Sequence, residues 1–111
     1  MEPTVLLIGR SLDTLRILKD ELIKFERIIS VANSEELIES TLKNEKIDLI
    51  VVGAGLPKET SDSMVNLIEK IAPEIEYHIM EKTPGMTPVS MISYTNEKAI
   101  MWKLMASVKS K

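Results

Sequence analysis

Two hydrophobic periodicities alternate along this chain. Short apolar runs rich in β-branched residues, such as residues 4–8 and 47–52, predict strands that are buried on both faces of a sheet. Between these runs, apolar residues such as Leu15, Leu18 and Leu22 recur at helical spacing and predict helices with one buried stripe. The order of these elements predicts a three-layer α/β fold whose parallel strands are joined by right-handed crossovers.

The pattern predicts five strands. The other three are expected at residues 27–32, 77–80 and 89–94, with a last helix from Asn96 to about Val108. Only residues 81–88 separate the fourth and fifth strands, and they include two prolines and a glycine. Because a parallel crossover needs about a dozen residues, we expect a loop or hairpin in place of a helix. The fifth strand is then either antiparallel or reached by an extended crossing.

The composition excludes several kinds of site. With no cysteine in 111 residues, the chain has no disulfide, thiolate metal site or cysteine nucleophile. A net charge of -3 argues against a nucleic-acid partner, and no apolar run approaches the roughly 20 residues that cross a bilayer. We expect a single domain, residues 1–111, that is cytoplasmic and does not bind a membrane.

Two stretches resemble the receiver domain of two-component response regulators. They are the apolar run at residues 4–8, and residues 47–52 followed by Leu56 and Pro57. The resemblance covers roughly residues 4–80 in order and spacing. It implies a flavodoxin-like fold, a mostly parallel five-stranded sheet in the order 2-1-3-4-5, and a role in signal transduction.

The positions that carry chemistry in receivers hold other residues in this chain. Receivers bind Mg²⁺ with an acidic pair where this chain has Gly9 and Arg10, and they accept phosphate on an aspartate where it has Gly53. Neither glycine nor arginine replaces a carboxylate as metal ligand or nucleophile. The resemblance therefore implies a pseudo-receiver with no metal, cofactor or catalytic residues, which is an interaction module and not an enzyme.

Binding of a small anionic ligand or nucleotide is the alternative function. The glycine-containing loops after the first and third strands would lie side by side at the carboxyl edge of the sheet, where helix N-termini bind anions. The residues predicted to contribute are Arg10, Ser11, Gly53, Gly55, Lys58 and Ser61. Neither loop completes a phosphate-binding motif, and tight strand-to-helix turns favour glycine equally, so both explanations stay open.

The last predicted helix has two apolar faces. One face holds the large side chains Ile100, Met101, Leu104, Met105 and Val108. The other holds Ala99, Trp102 and Ala106. We predict that this second face binds another protein or a second copy of the chain, anchored by Trp102 with Met86 and Met91, because Trp and Met favour interface cores. In the alternative explanation, Trp102 folds over the gap that the missing helix leaves.

Overall fold

The structure, a computed structural model, describes residues 2–109, so the predicted domain of residues 1–111 extends beyond them at both ends. The elements are β1 Thr4–Ile8, α1 Leu12–Ile23, β2 Ile28–Ala32, α2 Glu35–Asn44, β3 Leu49–Val52, α3 Lys58–Ile71, β4 Glu76–Ile79 and α4 Pro88–Lys109. None of the described helices has both the length and the apolarity that a bilayer crossing requires.

The strands form one parallel sheet in the order β2-β1-β3-β4. β1 lies in the interior, where Leu6 is opposite Ser30 of β2 and Ile50 of β3. All of β3 and nearly all of β1 are buried, as expected for parallel strands that are covered on both faces. The predicted α/β fold, parallel strands and strand order 2-1-3-4 are confirmed.

Helices cover both faces of the sheet. Leu15 of α1 packs with Met91 and Ala99 of α4 on one face, while Ile38 of α2 and Ile68 of α3 belong to the cluster on the other face. Alternate residues of β1 enter the two clusters, because successive side chains of a strand point to opposite faces. This arrangement confirms the predicted three layers.

The prediction of a fifth strand is wrong. Residues 89–94 form the first turns of α4, which begins at Pro88, well before its predicted start. Proline suits the first turn of a helix, where its missing N–H needs no partner. Met91, Thr95 and Ala99 follow at intervals of four and are all buried, so one side of the helix faces the core. These tertiary contacts outweigh the local residue types that suggested a strand.

The connection between β4 and α4 is the loop that the sequence predicts. Residues 80–87 contain no helix or strand, and Gly85 has a φ of 79°, a left-handed conformation that favours glycine. Within the described part of the chain, no strand pairs with the outer edge of β4. The sheet therefore has four strands in place of the predicted five.

An ion-pair network holds α4 to the amino-terminal end of the sheet. The Glu2 carboxylate accepts hydrogen bonds from Arg27 Nη1 at 2.6 Å and from Lys103 Nζ at 2.7 Å. Arg27 Nε donates a further hydrogen bond to Asn96 Oδ1 at 2.8 Å. The hydrogen bond from Lys103, together with the charge and hydrogen bond of Arg27, lowers the pKa of the Glu2 carboxyl, and partial desolvation opposes this shift.

Replacing Glu2 by glutamine is expected to lower the free energy of unfolding by about 1–2 kcal/mol at neutral pH, because the largely buried Arg27 guanidinium loses its charged partner. Since the Glu2 pKa is lowered in the folded state, its stabilisation is present above the usual carboxyl pKa and is lost as the pH falls through the folded-state pKa. Glu2→Gln should therefore lose less stability on acidification than the wild type does. Urea unfolding followed by Trp102 fluorescence measures both effects.

The control for this experiment is Glu21→Gln, whose ion pair with Lys24 is exposed and is expected to contribute less than about 1 kcal/mol. An acid-induced loss of stability that is equal in wild type and Glu2→Gln would contradict the role of Glu2.

Thr95 on α4 is fully buried, and its hydroxyl has no hydrogen-bond partner among residues 2–109. Valine has nearly the same shape without the hydroxyl, so Thr95→Val is expected to raise the free energy of unfolding by about 1 kcal/mol. Thr95→Ser keeps the hydroxyl and removes a methyl group, so it should lower stability. Guanidinium unfolding of the three proteins measures this, and a destabilised valine variant would refute the assignment of an unsatisfied hydroxyl.

Candidate functional site

A cavity of about 510 Å³ opens at the carboxyl edge of the sheet. Its lining includes Gly9 after β1, Gly53 after β3, Met80 after β4 and the loop of residues 82–87. Open parallel sheets bind their ligands outside the carboxyl ends of the strands. The cavity therefore lies at the edge where the sequence predicts a site.

The most deeply buried part of the cavity lining is apolar. Leu15 and Leu18 of α1, Met80 after β4 and Met91 of α4 all line it, and none of the four is more than 7% exposed. Two of these side chains are methionines, which adapt their shape readily to an apolar neighbour.

The charged side chains of the lining are both cationic. Arg10 and Lys82 are exposed, and the neighbouring Ser11 caps α1 by accepting a hydrogen bond from the Thr14 amide at 3.4 Å. The chain carries 17 acidic residues, but none of them is among the described residues that line the cavity. The cavity thus combines an apolar interior with local positive charge.

Neighbouring atoms stand close to the two glycines in the cavity wall. A Cβ atom at Gly9 would lie 2.9 Å from Leu15 Cδ2. A Cβ atom at Gly53 would lie 3.4 Å from both Sδ and Cε of Met91, and 3.2 Å from the Ile8 carbonyl oxygen. Leucine and methionine therefore stand close to the space that a longer side chain at either position would need.

The sequence matches no family model and no curated protein, but solved structures share its fold. An adenylate cyclase from Rhodopirellula baltica has a TM-score of 0.73 at 14% identity, over 99% of this chain and 96% of that one. A response regulator receiver protein from Pseudomonas putida has a TM-score of 0.63 at 13% identity, over 100% and 98%. A CheY-like receiver domain from Methanospirillum hungatei JF-1 has a TM-score of 0.63 at 13% identity, over 95% and 99%. The chain has a receiver-like fold.

The residues of this receiver-like domain do not fit the Mg²⁺ ion that the fold family implies. Mg²⁺ is held through carboxylate oxygens, whereas the sequence resemblance predicts that Gly9, Arg10 and Gly53 stand at the acidic positions of receivers. Among the described residues no carboxylate lines the cavity. Residues 2–109 also contain no group of three His, Asp or Glu side chains that could hold a metal ion.

The cavity brings together part of the predicted anion-binding set. Arg10, Ser11, Gly53 and Gly55 line it, and Lys58 and Ser61 do not. Lys58 is the first residue of α3, where its side chain is 90% exposed and pairs with Asp62 at 3.3 Å. Because α3 begins directly after Pro57, Ser61 lies within its first turns and not at its cap.

The predicted interface residues lie on the inner side of the receiver-like domain. Met86 and Met91 line the cavity, Ala99 is fully buried, and Trp102 packs against the same core cluster. Ala106 is half-buried one turn further along α4. The prediction that Met91 and Ala99 meet a partner is wrong, because both belong to the core of this chain. Trp102 packs intramolecularly, as in the alternative explanation.

The outer face of α4 is an apolar surface that the interface prediction missed. It consists of Ile100, Met101, Leu104, Met105 and Val108, whose exposed fractions range from 46% to 66%. Helical spacing places these five side chains together, but it does not decide which of two apolar faces points outward. The alanine at position 99 was the only local hint, because its small side chain allows a close approach to the core.

Phosphotransfer is the activity that this geometry argues against. Incubation with acetyl phosphate and Mg²⁺ is expected to leave the intact mass of the wild type unchanged. Gly53→Asp should also remain unmodified, because no second carboxylate among the described lining residues is available for the metal. A receiver domain with an intact acidic pair serves as the positive control, and Gly53→Asn controls for effects on folding.

A Mg²⁺-dependent gain of one phosphoryl group by the wild type would contradict the predicted absence of a phosphate-accepting residue. The same gain by Gly53→Asp alone would show that one introduced carboxylate is sufficient for phosphotransfer at this position.

Proposed function

We propose that this receiver-like domain is a pseudo-receiver that serves in signal transduction as a protein–protein interaction module and pairs with a second copy through the outer face of α4. The exposed apolar surface on that helix carries the proposal. Likeness to receiver structures supports the fold-level part of it, and the lack of a carboxylate among the described lining residues supports the absence of phosphotransfer.

The outer face of α4 groups five exposed apolar side chains within nine residues of one helix. Its five side chains are at least 46% exposed and none of them is polar. Monomeric proteins rarely expose contiguous apolar patches of more than a few hundred Å², and larger patches mark interaction sites. Burial of this face removes apolar area from water, which is the main driving force of protein association.

The spacing of the side chains on this face suits packing against a second copy of α4. Met101, Leu104 and Val108 are separated by three and then four residues, with Ile100 and Met105 beside them. This is the spacing at which the side chains of one helix fit between those of another. A second copy supplies an apolar face of equal length, and a two-fold axis brings the same residues together on both sides.

We propose that this domain has no catalytic role and that it is located in the cytoplasm. The described residues of the cavity lining include no Asp, Glu, His or Cys, so no carboxylate, imidazole or thiolate base stands beside the hydroxyl groups there. The net charge of -3 favours a protein over a nucleic acid as the partner.

Self-association is tested by Leu104→Glu. The wild type is expected to shift from monomer towards dimer as its concentration rises, and the glutamate variant should associate more than about tenfold more weakly, because pairing would bury an uncompensated charge. Size-exclusion chromatography with light scattering over a wide concentration range measures both. Val89→Glu is the matched control, since Val89 is 65% exposed and Leu104 is 62% exposed on the same helix.

A wild type that stays monomeric at every concentration would refute pairing with a second copy. Equal weakening by Leu104→Glu and Val89→Glu would show that any association does not use the outer face of α4.

A further inference from the structure

The cavity at the carboxyl edge of the sheet has the size of a small-molecule site. Its volume of about 510 Å³ lies within the range of roughly 300–1,000 Å³ that is typical of ligand pockets. It is separate from the outer face of α4, because among the α4 residues only those near the beginning of the helix, such as Pro88 and Met91, line it. A ligand bound here would be recognised by the receiver-like domain independently of any protein partner.

The apolar part of the lining selects for an apolar ligand body. Leu15, Leu18, Met80 and Met91 are nearly completely buried and offer no polar atom stronger than a thioether sulfur to a ligand. A bare phosphate ion would leave this surface without a partner. A hydrocarbon chain or ring placed against it would lose its contact with water, which favours binding by an amount that grows with the buried area.

The charged part of the lining selects for a negative end group. Neither Arg10 nor Lys82 has a carboxylate partner within residues 2–109, and no acidic side chain among the described lining residues would repel an anion. The Arg10 guanidinium can hold a carboxylate through two parallel hydrogen bonds. With two cations and no complete phosphate-binding loop, the lining is suited to a single anionic group and not to the phosphate chain of a nucleotide.

We propose that this cavity binds an amphipathic monoanion, with its apolar body between Leu15, Leu18, Met80 and Met91 and its carboxylate or equivalent anionic group at Arg10 and Lys82. The glycines at positions 9 and 53 contribute by leaving this edge without side chains that would fill it. The proposed ligand class therefore depends on Gly9, Arg10 and Gly53, the residues predicted to stand where a receiver has its acidic side chains.

Straight-chain carboxylates of increasing length are the probes. Hexanoate, octanoate and decanoate, each below its micellar concentration, are titrated into protein that carries ¹³C-labelled methionine methyl groups. The methyl signals of Met80, Met86 and Met91 are expected to shift and saturate. Affinity should rise about tenfold for every two methylenes added, until the cavity is full.

Two comparisons test the anionic group. Octanoate should bind about tenfold more weakly to Arg10→Gln than to the wild type, while 1-octanol, which has no charge, should bind both equally. Arg16→Gln is the matched control, because Arg16 is an exposed arginine of α1 outside the cavity lining and should change neither affinity.

The methionines on the outer face of α4 distinguish binding in the cavity from adsorption to the proposed dimer surface. Met101 and Met105 lie on the outer face of α4, so shifts confined to their signals would mean that the probes adsorb to that face, and the cavity proposal would be refuted. No saturable shift at Met80, Met86 and Met91 with decanoate, or equal effects of Arg10→Gln and Arg16→Gln, would also refute it. The titration is performed on the Leu104→Glu background, so the outcome does not depend on self-association.

Discussion

The packing of α4 against α1 and β3 is the contact on which the other features of this protein depend. Met91, Thr95 and Ala99 enter the core at successive turns of the helix, and the small side chain of Ala99 allows a close approach to its neighbours. This contact brings the Met91 thioether to Gly53. It also fixes the rotation of the helix, and thereby turns the apolar side chains of the outer face of α4 towards solvent.

The cavity and the absence of an acidic site have one structural origin. In a receiver, carboxylates at the edge of the sheet need water and a metal ion around them, and such a site is polar. Here Leu15 and Met91 approach the glycines that are predicted to stand at those positions, and the charged groups of the lining are cations. The edge of the sheet therefore has a different chemical character from an acidic metal site, although the fold is receiver-like.

The Glu2 network secures the middle turns of α4, from Asn96 to Lys103. Arg27 and Lys103 meet on the Glu2 carboxylate, and Asn96 accepts from Arg27 near the middle of the helix. Because the side chain of Arg27 is 9% exposed, this connection is shielded from solvent more than a typical surface ion pair. The beginning of α4 can then form a cavity wall while its later turns present an apolar surface.

The sequence pattern alone was sufficient to predict those segments whose surroundings do not depend on how the helices pack. The continuous apolar runs of β1 and β3 can only be covered on both faces, the prolines and the glycine of residues 81–88 cannot continue a helix, and Gly53 has no carboxylate in any conformation. Tertiary structure decided the rest. Residues 89–94 have the composition of a strand, but their contacts with the core make them helical, and α4 has two apolar faces whose periodicity is identical. Which of these faces is buried depends on how closely each can approach α1 and β3, and that distance is set by parts of the chain far from the helix in sequence.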